Sequence, residues 1–139
     1  MCQGCINLIE HDLRTLELLN ESARSKKPPE DVTDWKCTLL FYMACIYVKA
    51  LGHQRNKALP RHSVAREWLN SDSDLIPIAK PYRKLEDRSQ DARYEGRKLS
   101  PAELAEAHRW FIEVRNVLVP LLRAAGLPNT PLVNPQPFL

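Results

Sequence analysis

The sequence predicts an all-α fold: a four- to five-helix up-and-down bundle ending in an extended, proline-rich C-terminal tail. Three observations predict it. Apolar residues recur at steps of three and four through most of the chain, the spacing that lines one face of a helix. Glycine is scarce, with four in 139 residues, and β-branched residues are few outside the C-terminal part, which disfavours strands. The stretch Asp34–Leu51, DWKCTLLFYMACIYVKAL, is apolar on nearly every side and carries only Lys36 and Lys49 as charges after Asp34. A helix apolar nearly all round is one that others wrap. It falls short of the roughly 20 predominantly apolar residues of a membrane span. The length suits one domain, placed over residues 1–126, with the tail over 127–139.

The first helix is expected from about Gly4 to Ala23. Ile6, Ile9, Leu13, Leu16 and Ala23 form its apolar stripe, and Glu10, Asp12, Arg14 and Glu17 its wet side. Pro28 and Pro29 cannot continue it, and SARSKKPPED reads as an exposed linker. The second helix is the apolar stretch itself, with Trp35, Leu39, Tyr42, Ile46 and Leu51 at helical spacing. Thr33 or Asp34 suits its N-cap, since a short oxygen side chain accepts free first-turn amides. Gly52 is placed to stop it.

A basic loop, HQRNKALPRH, precedes a short third helix at about Ser63–Leu69, with Ser63 as its cap. The fourth helix is expected at about Pro81–Tyr94, because Tyr82, Leu85, Ser89 and Ala92 step by three, four and three, and proline is tolerated in a first turn. The fifth has the clearest start: Ser100-Pro101-Ala102-Glu103 is a capping box with proline at the first helical position. Gly126 followed by Pro128 stops it. Pro120 should kink this helix or end its regular part near Val117. The tail LPNTPLVNPQPFL has four prolines and no charged side chain, so it should lie on an apolar surface of its own body or of a partner.

The composition, 44% hydrophobic and 27% charged, excludes wholesale disorder. The first ten residues lack a secretory pattern, so a cytoplasmic protein with reduced cysteines is expected. Cys2 and Cys5 are half of a zinc site, but no second pair completes four ligands. No metal site is therefore expected. No glycine-rich phosphate loop is present, and no cofactor is expected.

The charge is concentrated. From His53 to Lys98, eleven cations face seven acids, a surplus of +4 that accounts for the whole net charge of +3. Arg55, Arg61, Arg88 and Arg93 would suit phosphate oxygens if they share a side. The plainer alternative is a solvated surface of local ion pairs.

The segments FYMACIYVKAL, then RHSVAREWL, then Y-x2-L-x3-S-x2-A-R-Y from Tyr82 to Tyr94 stand in an order that resembles the small helical domains of the HEPN superfamily, over roughly Trp35–Leu118. The resemblance implies a four- or five-helix bundle, often a dimer. Many such domains are metal-independent RNases of toxin–antitoxin, phage-defence or RNA-processing systems. Their R-x4–6-H motifs meet across the dimer: the Arg steadies the scissile phosphate and the His moves the proton of the attacking 2′-hydroxyl. A fixed guanidinium and a group titrating near neutrality suit those roles.

Arg55 to His62 formally matches this motif, with Asn56 after the Arg, although Pro60 argues for a loop there. Arg115-Asn116 opens a second match that no His completes. Arg61, Arg88, Arg93 and Tyr94 are the candidate RNA or ligand contacts, Tyr94 alternatively being a structural anchor. The leading expectation is a stress- or defence-related module that binds RNA, a nucleotide or a protein partner without efficient catalysis. The alternatives are an RNase using Arg55, Asn56 and His62 in a homodimer, and a structural protein whose tail is its contact arm.

Overall fold

The computed structural model describes residues 3–25, 31–94 and 98–135. The Cys2/Cys5 pair lies outside the described side chains, as do Phe138 and Leu139 of the tail. Five helices follow in order: α1 (Gln3–Ser25), α2 (Thr33–Gln54), α3 (His62–Ser71), α4 (Ile76–Arg93) and α5 (Pro101–Ala124). The fold is all-α, and none of these helices is long and apolar enough to cross a membrane.

α2 is the axis of the bundle, packing against α1, α4 and α5. Side-chain pairs set the directions. Lys36 reaches Asn20 and Arg93 reaches Tyr42, so α1 and α4 run antiparallel to α2. The Leu99 amide bonds to Asp34, and Tyr47 meets Phe111 with ring centres 6.3 Å apart, so α5 runs parallel to it. Phe41, Met43, Ala44, Tyr47, Val48 and Leu51 fill the centre. The wrapping leaves one narrow edge of α2, where Trp35, Tyr42 and Lys49 are exposed at seven-residue intervals. Trp35 and Tyr42, expected inside the stripe, stand on this edge because two helical turns bring every seventh residue back to nearly the same side.

Several helix ends differ from expectation. The N-cap of α2 is Val32, without a side-chain cap. Asp31 instead accepts the Thr33 amide at 3.0 Å, and Asp34 is drawn to Leu99 at 3.1 Å. Gly52 does not stop α2. It is buried inside the helix because a Cβ there would stand 2.6 Å from the Leu59 side chain. The stop is Asn56, at φ 55°. The Gly52 carbonyl accepts the Lys57 amide at 2.7 Å and the His53 carbonyl the Asn56 amide at 3.2 Å, the pattern of a helix closed by one left-handed residue.

α3 starts at His62 with Arg61 at the N-cap, so Ser63 does not cap it. α4 begins at Ile76, five residues before the expected start, with Pro77 in its first turn. Pro81 is then internal. Its missing amide leaves only the Pro77 carbonyl of the first turn without a bond, and Ile78, Pro81, Tyr82 and Leu85 are buried together. α5 does not end near Val117. It continues through Pro120 to Ala124, with Leu118, Val119 and Leu122 buried around the proline. The Ser100–Glu103 capping box forms as expected, and Gly126 closes the helix at φ 102°.

Candidate functional site

Phe41, fully buried on α2, is the hub of a cluster drawn from three helices. α3 brings His62, its ring centre 5.4 Å from that of Phe41. α4 brings Tyr82 at 5.6 Å and, three turns later, the Arg93 guanidinium at 5.8 Å. His62 and Arg93, thirty-one residues apart in sequence, thus pack on the same ring.

Arg93 is held firmly. Its Nε donates to the Ser89 carbonyl at 3.2 Å and its Nη1 to the Tyr42 hydroxyl at 2.8 Å. The guanidinium also lies 5.2 Å from the Tyr42 ring centre and 4.9 Å from that of Tyr94. Cations within about 6 Å of a ring face are attracted to its quadrupole. Tyr94 is 74% exposed and Trp35 63% exposed. Asp34, Trp35, Thr38, Ala92 and Arg93 line a recess of about 240 Å³. The surface offers flat aromatic faces, a fixed cation and a small socket.

Behind His62 the cluster is buried. Cys45 Sγ lies 3.9 Å from His62 Nδ1 and 3.3 Å from the Tyr82 hydroxyl. Burial pushes the Cys45 thiol up to about 11, with the Tyr82 contact opposing, and pushes the Tyr82 phenol well above its ordinary range. Cys45 thus packs there as a small buried thiol. Glu86, also buried, is paired with Arg66 through one oxygen. Among the described residues no cluster of three His, Cys, Asp or Glu side chains is placed to hold a metal.

The other sequence-derived candidates are placed elsewhere. Arg55 forks onto Asp72 at 3.2 Å and Asp74 at 3.0 Å, fastening the end of α2 to the α3–α4 loop. Asn56 is the left-handed residue that closes α2. His62 opens α3, and Arg55 binds just beyond its end, ten residues or about 15 Å of helix away. Arg55 and His62 therefore do not meet within one chain. Arg61, at the α3 N-cap, is exposed beside His62. Arg88 is engaged by Glu103 at 3.0 Å and lies over Trp110 at 5.1 Å, locking α4 to the start of α5. Arg115 donates twice to the Asn116 side chain, at 3.1 and 2.9 Å, and once to the Val133 carbonyl at 2.7 Å.

Arg93 and Tyr94 therefore stand side by side and His62 shares the Phe41 ring with Arg93, while Arg55, Asn56 and Arg88 join elements of the scaffold. Sequence reasoning missed Trp35, Phe41 and Tyr42 as parts of the site. The seven-residue step from Trp35 to Tyr42 was the available signal, since an otherwise buried helix has one edge left for such a pair. No family model, curated relative or solved structure matches the chain.

Proposed function

We propose that the chain is a HEPN-like helical module that binds single-stranded RNA on the face formed by Trp35, Tyr42, Arg93 and Tyr94, with His62 and Arg61 at its margin. One observation carries this reading: a guanidinium fixed by two hydrogen bonds and ringed by aromatics, next to an exposed tryptophan. Single-stranded RNA is gripped by stacking of its bases on aromatic side chains and guanidinium planes, with cations on the phosphates. The Arg93 guanidinium suits a phosphate, and the faces of Trp35 and Tyr94 suit bases. The resemblance of the three helical motifs to HEPN domains supports the same reading.

A catalytic variant is the second reading, favoured by the packing of His62 and Arg93 on one Phe41 ring. In this reading a substrate would bridge the two across that ring, with His62 moving the proton while Arg93 held the phosphate.

The test is binding and cleavage of a short oligouridine without added metal, for the wild type, Arg93→Ala, Trp35→Ala and His62→Ala. Binding that weakens with salt, as phosphate contacts do, and falls in the first two variants is expected, with no cleavage. Cleavage that disappears in His62→Ala moves the assignment to an RNase. No binding even at low salt overturns the RNA reading and leaves a protein-binding module.

A further inference from the structure

The first described residues of the tail lie in a groove between α2 and α5 that has the makings of a recognition site. Tyr47, fully buried, donates its hydroxyl to the Pro131 carbonyl at 2.6 Å. Arg115 donates to the Val133 carbonyl at 2.7 Å. Arg123 donates through Nε and Nη2 to the Thr130 carbonyl at 3.2 and 3.0 Å. Thr130, Val133 and Pro135 are buried, while Leu132 faces outward. Main-chain carbonyls give the affinity and spaced side-chain sockets the selectivity, as when grooves bind extended peptides.

Two features make the occupant exchangeable. The bonds to carbonyls do not depend on which molecule the segment comes from. The turn that returns the tail to its own helix rests on one residue, Gly126, at φ 102°, where a side-chain-bearing residue is strained. The Leu127 amide, bonded to the Leu122 carbonyl at 3.1 Å, completes that turn. We propose that this groove is a site for an extended, uncharged, proline-containing peptide, and that its partner in trans is the tail of a second copy of this chain, exchanged reciprocally. Reciprocal exchange leaves no groove empty and closes a two-fold dimer. The tethered tail competes at a high effective concentration, so the turn at Gly126 sets the balance between own and exchanged tails. This inference does not rest on RNA binding.

Sedimentation of the full chain tests it. The wild type is expected to be mainly monomeric at micromolar concentration and Gly126→Val mainly dimeric. Adding Arg115→Ala and Arg123→Ala to Gly126→Val should restore the monomer with helicity retained. A fluorescent peptide of residues 127–139 should bind the wild-type chain saturably, and a scrambled peptide should not. A Gly126→Val chain that stays monomeric with full helicity overturns the proposal, as does a dimer that survives loss of both arginines. If Gly126→Val fails to fold, the peptide on the wild type decides: binding no better than the scrambled control makes the tail a fixed part of the core.

Discussion

The Arg93 guanidinium donates to the Tyr42 hydroxyl at 2.8 Å and lies 5.2 Å from the same ring. One contact thus joins the end of α4 to the open edge of α2, and it holds the cation in place before any ligand arrives. A pre-positioned group loses less freedom on binding than a mobile one. Arg93→Lys keeps the charge but loses the planar fork and its stacking. RNA affinity should fall about tenfold in Arg93→Lys and only a few-fold in Tyr42→Phe, which keeps the ring. Tyr94→Ala should cost about 1–3 kcal/mol of binding for one lost stacking partner. Its stability should stay within about 0.5 kcal/mol of wild type, as for exposed positions generally. Fluorescence anisotropy with an oligouridine, paired with urea melts, measures both quantities.

Arg55 separates a scaffold role from a catalytic one. It spans from the end of α2 to Asp72 and Asp74, and Asp72 also accepts the Asp74 amide at 2.9 Å. Arg55→Ala should therefore loosen the α3–α4 loop and lower stability by about 1 kcal/mol, since a partly exposed ion pair contributes at most about that much. RNA affinity should not change. Equal stability with lost RNA affinity or lost cleavage would show that Arg55 belongs to the site after all.

His108 gives the protein a pH limit. It is buried on α5, and among the described residues neither ring nitrogen has a hydrogen-bond partner. Burial, with a smaller push from Lys36, lowers its value to about 4 from the ordinary 6.5. The unfolded chain therefore binds a proton below pH 6.5 that the folded chain refuses. Stability should be complete above pH 6.5 and fall as pH drops toward about 4, by at most about 1.4 kcal/mol per pH unit. Asp31, held below its ordinary value chiefly by the Thr33 hydrogen bonds, adds its own loss only at lower pH. His108→Leu removes the proton site and the two unpartnered nitrogens while keeping an apolar volume. Urea melts from pH 4 to 7 should show a flatter profile in this variant, and an unchanged slope would remove His108 as the cause.

Periodicity made the helices legible because it reports burial, and burial is what a bundle organises. Tyr82, Leu85 and Ser89 fell on one face from spacing alone, and the Ser100–Glu103 box fixed the start of α5 because its partners are local. Proline and glycine were over-read. Pro81 and Pro120 are tolerated inside helices whose neighbouring residues are buried, and Gly52 answers to Leu59, a packing contact that spacing does not reveal. The site was legible only in pieces. Arg93, Tyr94 and His62 stood out as residue types, but the packing of Arg93 and His62 on Phe41 depends on the return of α3 and α4 across α2. The formal motif from Arg55 to His62 is not one site within the chain, because the residues between them form a turn and a loop, with Asn56 closing one helix and His62 opening the next.

The close approach of Gly52 and Leu59 gives a test whose sign reverses with context. In a helix interior alanine is favoured over glycine by about 1 kcal/mol, so Gly52→Ala alone would ordinarily stabilise α2. Here the new Cβ would stand 2.6 Å from Leu59 Cδ1 and 3.3 Å from the Lys57 carbonyl. Swinging Leu59 away costs part of its packing against the core, so Gly52→Ala should destabilise by up to about 1 kcal/mol, at the low end for overpacking. In a Leu59→Ala background the obstruction is gone, and the same substitution should lose its cost or become stabilising. The coupling energy from the four-corner cycle should therefore be at least about 1 kcal/mol, as for residues in direct contact. Additive effects would mean that Leu59 does not set the requirement for glycine, leaving the Lys57 carbonyl, whose amide closes α2 on Gly52, as the nearer constraint.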